Sequence, residues 1–346
     1  MIQESPFARF VGEALGKTAF TLLDIGSDVI QSSWGVFGAH LRGLAIGSGR
    51  QKVLEDRLTY IDASIAVTGE DIAGSRLSRN PWSRLSVART LSISNPAPTV
   101  PETGLAKTPE VQVVRVPEVV NQNAIRADID FIRLCAGQAD FEILRALALI
   151  LDDANVLGVS ITVNFFGSGE PQVHTFHNVD RFMKDHGFEL FVLAPRMYSV
   201  GALPAPYVYP FPANTIFGRV LQGDAVYFRD AVAPENIAWT LPAGSHKLVK
   251  LAALFSMFGL PDCAAEVVVR LRPAVDEVLD VARGLDLLVL QTGLAVDDPS
   301  CSYEHYMTMF DEGNAMFYPS KARVSSNESE SPSIRSLWLR ILRRNR

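Results

Sequence analysis

The sequence predicts an α/β fold, a mostly parallel sheet covered by helices on both faces. Three observations carry that expectation. Runs rich in β-branched and aromatic residues recur at 20–25, 43–47, 58–66, 111–116, 129–134, 156–165, 188–193 and 223–229. Helical spacing falls between several of them, as at 139–151, where Phe141, Leu144, Leu147 and Leu151 recur. The first run ends in Asp24 and Gly26, as a strand does when it opens into a loop at the ligand-binding edge of such a sheet.

Taken in order, residues 20–30 read FTLLDIGSDVI. A loop cradling an adenosyl group needs glycines so that backbone N–H groups can approach the ligand. Ser27, Asp28, Val29 and Ile30 follow instead. Residues 80–110 hold Pro81, Pro96, Pro98, Pro101 and Pro109, and so long an irregular excursion reads as a lid or substrate-binding segment. The helix at 177–186 meets Gly187, a suitable C-cap. The closing runs FELFVL and GDAVYFRD have a Pro-rich segment and no helical pattern between them, which predicts an antiparallel hairpin at one sheet edge. After about 233 the β signals stop, and 244–290 reads as two or three helices.

Composition narrows the function classes. A net charge of −6 argues against a general nucleic-acid binder, which needs a basic face. Cys135, Cys263 and Cys301 form no CxxC pair and read as reduced, mostly buried thiols. Cys135 is a candidate reactive thiol if a cation or a helix N-terminus lies near it. The N-terminus lacks a signal-peptide pattern, so a cytoplasmic location is expected. The apolar stretch Leu251 to Leu260 is about half the ~20 residues a membrane span requires and reads as a buried helix.

Several segments together resemble the FkbM-type family of SAM-dependent methyltransferases. DIGSDVIQSSWGVFGAHLR (24–42) keeps Asp24, Gly26, Trp34, Phe37, Gly38, Leu41 and Arg42 of that family's opening block. NPWSRLS (80–86), DIDFIRL (128–134), DFEILRAL (140–147) and VLGVSITVNFFGSG (156–169) follow in order. HTFHNVDRFMKDHGFELFVL (174–193) and the segment 196–230 complete the match over roughly 20–235. The resemblance implies a Rossmann-like methyltransferase sheet with an antiparallel closing hairpin and a C-terminal helical extension. It also implies S-adenosyl-L-methionine as cofactor and O-methylation of a sugar-containing or polysaccharide acceptor.

The implied cofactor-binding residues are Asp24, Gly26 and Asp140. His174, His177 and Asp180 are the implied catalytic group, with Asn164 and Asn178 lining the acceptor. The bland alternative for the HTFHN segment is helix capping by Thr175 or Asn178. The departures are equally specific. Gly47 replaces the acidic residue that bonds the ribose, and Cys135 and Gly137 replace two acids after the fourth strand. A lost charge-assisted bond of about 1.5–3 kcal/mol costs roughly 10- to 150-fold in affinity. Methyl transfer is therefore expected to be weak, altered or lost, and the alternative is a non-catalytic scaffold or regulatory subunit. Asp28, Asp56 or Asp62 would have to compensate.

The expected domains are 1–235 for the methyltransferase-like part, 236–318 for the helices, and 319–346 for a disordered linker and tail helix. In that tail Ile334, Leu337, Trp338, Ile341 and Leu342 share one helical face, with Arg335, Arg340, Arg343, Arg344 and Arg346 around it. Such a basic amphipathic helix suits a peripheral contact with an anionic inner-membrane surface or a protein partner.

Overall fold

The computed structural model describes residues 2–27, 30–47, 54–65, 113–123, 128–153, 156–167, 169–202, 207–236, 243–292 and 301–313. The chain divides into two compact units, Met1–Val281 and Ala282–Arg346. The expected lid at 80–110, the tail after 319, and Asp28 and Val29 lie outside the described residues.

In the first unit the strands are β1 (Phe20–Ile25), β2 (Leu41–Ile46), β3 (Leu58–Ile61), β4 (Ser64–Ile65), β5 (Val113–Val114), β6 (Phe131–Leu134), β7 (Gly158–Asn164), β8 (Glu189–Ala202), β9 (Tyr207–Asn214) and β10 (Arg219–Phe228). Eight of them make one sheet in the order β3-β2-β1-β6-β7-β10-β8-β9, while β4 and β5 pair separately. The pairs from β3 to β7 are all parallel. β10 runs antiparallel to both β7 and β8. The fold is thus α/β and Rossmann-like, closed by an antiparallel strand as expected. The strand order reverses between β1 and β6, which makes that pair the switch point of the sheet.

All six residues of β1 are buried, because it lies between two parallel neighbours with both faces covered. On one face, Leu23, Ile25, Ile132, Leu134, Val159, Ile161 and Val163 pack against Phe141, Leu144, Leu147, Val179 and Met183. Those partners come from helices α3 (Asp140–Ala146) and α5 (Phe176–Asp185) and from the turn before α4 (Ala148–Asp153); α2 (Val116–Gln122) adds Val116, Val119 and Val120. The other face carries an aromatic layer. Phe20 stacks on Phe37 at 4.1 Å, Trp34 meets Phe131 at 5.3 Å, and Phe228 meets Phe255 at 4.9 Å.

Helices α1 (Pro6–Ala14) and α6 (Ser245–Met257) cover that face, and the apolar stretch expected as a buried helix lies largely within α6. A buried ion cluster pins α6. Asp130, fully buried, accepts from Lys247 at 2.6 Å, from Lys250 at 2.8 Å and from the Thr21 N–H at 2.8 Å. α6 therefore belongs to the first unit, with α7 (Pro261–Arg270) and α8 (Arg272–Val275) following it. In the second unit α10 (Tyr303–Gly313) follows α9 (Val281–Val289). There the Tyr303 N–H donates to Asp286 at 2.7 Å.

Two expectations need correction, and one strand was not foreseen. The closing strands β8 and β10 are antiparallel neighbours as expected, with β10 inserted beside β7, and β9 adds a further strand at the sheet edge. Its prolines, Pro210 and Pro212, hide a strand from any period-two reading. The helix expected at 139–151 is two helices, α3 and α4, parted at Leu147. Four helices rather than two or three fall within 244–290, because Gly259 with φ +76° and Pro261 stop and restart the chain.

Candidate functional site at the switch point

The parallel strands carry their ligand edge at the carboxyl ends, where the loops after β1 and β6 should part. Asp24 and Arg133 are register partners on these strands. Arg133 Nη1 donates to Asp24 Oδ2 at 3.1 Å, with the Asp24 side chain fully buried and that of Arg133 19 % exposed. Just beyond, Gly26 takes φ +81°, and its N–H donates to the Ile46 carbonyl at 2.9 Å. A Cβ placed on Gly26 would lie 2.5 Å from both the nitrogen and the Cα of Ala136. Gly26 thus serves two needs, the positive φ and the close approach of the β6 loop.

Asp140 begins α3 and holds that loop. Its Oδ1 accepts the Ala136 N–H at 2.5 Å, and the Gly137 N–H also favours the ionised carboxylate. The side chain is wholly buried, so desolvation pushes its pKa up to about 8 against those two bonds, and the nearby Asp224 adds to the rise. Its Oδ2 has no hydrogen-bond partner among the described residues. Cys135 is exposed, contrary to expectation for a structural thiol. Its thiol is pushed up, first by desolvation and then by Asp140, which is the opposite of what a nucleophile needs.

His174 is buried, and its ring stacks on Phe141 at 6.4 Å. Desolvation lowers its pKa to about 4, while the Thr162 and Gly137 backbones pull weakly the other way. Neither ring nitrogen comes within hydrogen-bond reach of a partner among the described residues. The imidazole is therefore neutral at pH 7 and a weak base. His177 is exposed on α5. Asp180, also on α5, pairs with Lys184 at 3.1 Å and faces the Tyr227 hydroxyl, whose pKa is raised by desolvation first and by Asp180 second. Tyr227 pairs with Val159 near the start of β7, the end remote from Asn164. Of the three implied catalytic residues, His174 is thus buried ahead of α5, while His177 and Asp180 lie on that helix.

Asn164 and Asn178 are engaged within the fold. Asn164 Nδ2 donates to the His174 carbonyl at 3.1 Å, and its Oδ1 accepts from Gln222 at 3.0 Å. Asn178 Nδ2 donates to the carbonyls of Glu170 at 2.8 Å and Val173 at 2.9 Å. Thr175 is the N-cap of α5, accepting from the Asn178 N–H at 3.3 Å. Asp24, Gly26, Asp140, Asn164 and His174 do gather at the carboxyl edges of β1, β6 and β7, while His177 and Asp180 are carried on α5.

Sequence reasoning missed Arg133, Thr162 and Arg196, and read Asp224 only as a structural position at a strand start. Thr162 Oγ1 donates to Asp224 Oδ1 at 3.0 Å, and Arg196 pairs with the same carboxylate. Only the strand order, with β10 between β7 and β8, makes these residues neighbours.

The groups implied to grasp an adenosyl cofactor are engaged within the fold. Gly26 packs closely on Ala136, Asp24 is paired with Arg133, and Asp140 is turned onto its own loop. Gly47, where the resemblance requires a ribose-binding acid, donates its N–H to the Ile61 carbonyl at 3.1 Å. Asp56 is engaged by Arg57 at 2.8 Å. A cavity of about 490 Å³ lies elsewhere, beside the amino end of β2, between Arg9 and Glu13 of α1 and Val36 and His40.

No protein-family model matches the chain, and no curated protein does. Among solved structures it is similar to the N-terminal domain of EvdMO1 with SAH bound, at 11 % identity and a TM-score of 0.24. That match covers 66 % of this chain and 82 % of the other. At that level of likeness the fold rests on the strand order and register described above.

Proposed function

We propose that this chain is a divergent FkbM-like protein that keeps the methyltransferase sheet, has lost methyl transfer, and acts as a non-catalytic scaffold or regulatory subunit. The observation that supports this reading is that the implied cofactor-binding carboxylates are engaged by the fold itself, Asp24 by Arg133 and Asp140 by the Ala136 N–H of its own loop. The ancestral activity is O-methylation of a sugar-containing acceptor. The basic tail at 331–346 recruits a partner or an anionic inner-membrane surface.

No proton-transfer step is assigned to His174, whose conjugate acid is too strong for a base working at neutral pH. Thermal melting with millimolar S-adenosylhomocysteine tests the reading. The expected result is no shift, whereas a ligand at 100 times its Kd would add about 2.7 kcal/mol. A clear upward shift overturns the proposal. Gly47→Asp is expected to leave the melting curve indifferent to ligand, because restoring that acid does not release Asp24 and Asp140 from their partners.

A further inference from the structure

From Leu190 to Gly223 the sequence has no aspartate or glutamate and two arginines, Arg219 and Arg196, the latter paired with Asp224, in a chain of net charge −6. β9 ends with Asn214 paired to Tyr198, and β10 begins with Arg219 paired to the same residue. Residues 215–218 therefore carry the chain across β8, from its outer side to its inner side. Gly218 makes the crossing, since a Cβ there would lie 2.6 Å from the Tyr198 carbonyl oxygen. The Thr215 N–H donates to the Met197 carbonyl at 2.8 Å and fixes the other end. On the crest Ile216 is 81 % exposed and Phe217 is 79 % exposed, with exposed Arg219 and Val220 beside them.

Two adjacent large apolar side chains, held clear of the sheet on a pinned loop, are unfavourable in water and mark a contact surface. We propose that this crossing loop inserts into an anionic lipid surface. Ile216 and Phe217 enter the acyl boundary, and Arg219 meets the headgroup anions. The acid-free stretch around the loop favours that occupant, because a nearby carboxylate would be repelled by the same surface. The inference stands apart from whether the switch point accepts a nucleoside, and its test does not involve that ligand.

The experiment is cosedimentation of the full chain, its tail contact removed by Trp338→Ser, Ile341→Ser and Leu342→Ser, with vesicles of phosphatidylcholine alone and of phosphatidylcholine with phosphatidylserine. Binding to the anionic vesicles should weaken with salt. Ile216→Ser with Phe217→Ser should lower the bound fraction at least about tenfold, with melting unchanged because both side chains are exposed. Phe217→Leu should retain binding, and Arg219→Glu should lower it. The proposal is overturned if the double-serine variant binds as the parent does. It is equally overturned if the chain ignores anionic vesicles but forms a dimer that the double-serine variant dissociates, since the occupant is then a second copy.

Discussion

Arg133 reaches across from β6 to Asp24 on β1, Nη1 to Oδ2 at 3.1 Å, and joins the two strands that a switch-point ligand would lie between. The pair is fixed by parallel register and by burial of the carboxylate. Removing only the cation leaves an uncompensated buried charge. Arg133→Met should destabilise the first unit by about 3–5 kcal/mol. Asp24→Leu combined with Arg133→Met should recover much of that loss, as read by urea unfolding. If the double variant is as unstable as the single one, the pair is not the source of the effect.

Asp140 makes stability depend on pH in an unusual direction for a carboxylate. Its folded pKa, about 8, lies above the ordinary 3.8, so the folded state holds a proton that the unfolded state has released between those values. Its contribution is complete below about pH 4 and is lost as pH rises through about 8. Asp140→Asn keeps an acceptor for the Ala136 N–H and mimics the protonated form. The variant should show a flatter stability profile from pH 5 to 9 and gain stability at the alkaline end, measured by denaturant midpoints.

His174 acts on the acid side with the opposite sign. Its folded pKa of about 4 is below the ordinary 6.5, so the unfolded state takes up a proton first as pH falls. Stability present above pH 6.5 drains away toward pH 4. His174→Phe preserves stacking on Phe141 and removes both unpartnered ring nitrogens. The variant is expected to melt higher than the parent at pH 5, by the equivalent of about 1–3 kcal/mol.

Gly26 and Gly38 both have positive φ, +81° and +49°, but only Gly26 is crowded. Gly38→Ala should cost about 1 kcal/mol from backbone strain alone. Gly26→Ala must also push the Ala136 backbone aside, and should cost at least ~2 kcal/mol more. Equal costs at the two sites would show that the loops after β1 and β6 are not held together.

Much of the sheet was legible because strands advertise themselves locally. The apolar runs at 20–25, 43–47, 129–134 and 156–165 each hold a strand, ending at Ile25, Ile46, Leu134 and Asn164. The edge strand β9 was hidden because Pro210 and Pro212 break every local strand signal, and its placement depends on pairing with β8. The break at Leu147 was hidden for a related reason, since the apolar spacing continues through it and both segments bury the same face.

The candidate site divides the same way. Asp24, Gly26 and Asp140 could be located at loop mouths from the sequence, and the replaced acid at Gly47 was visible in it. Their partners could not. Arg133 lies 109 positions from Asp24, and the Ala136 backbone meets Gly26 only once β6 is laid beside β1. Local residues determined which strands form and where their loops open, because propensity and periodicity act over a few residues. The tertiary structure alone decided that those loops close on each other, because contact across a parallel pair depends on register between segments far apart in the chain.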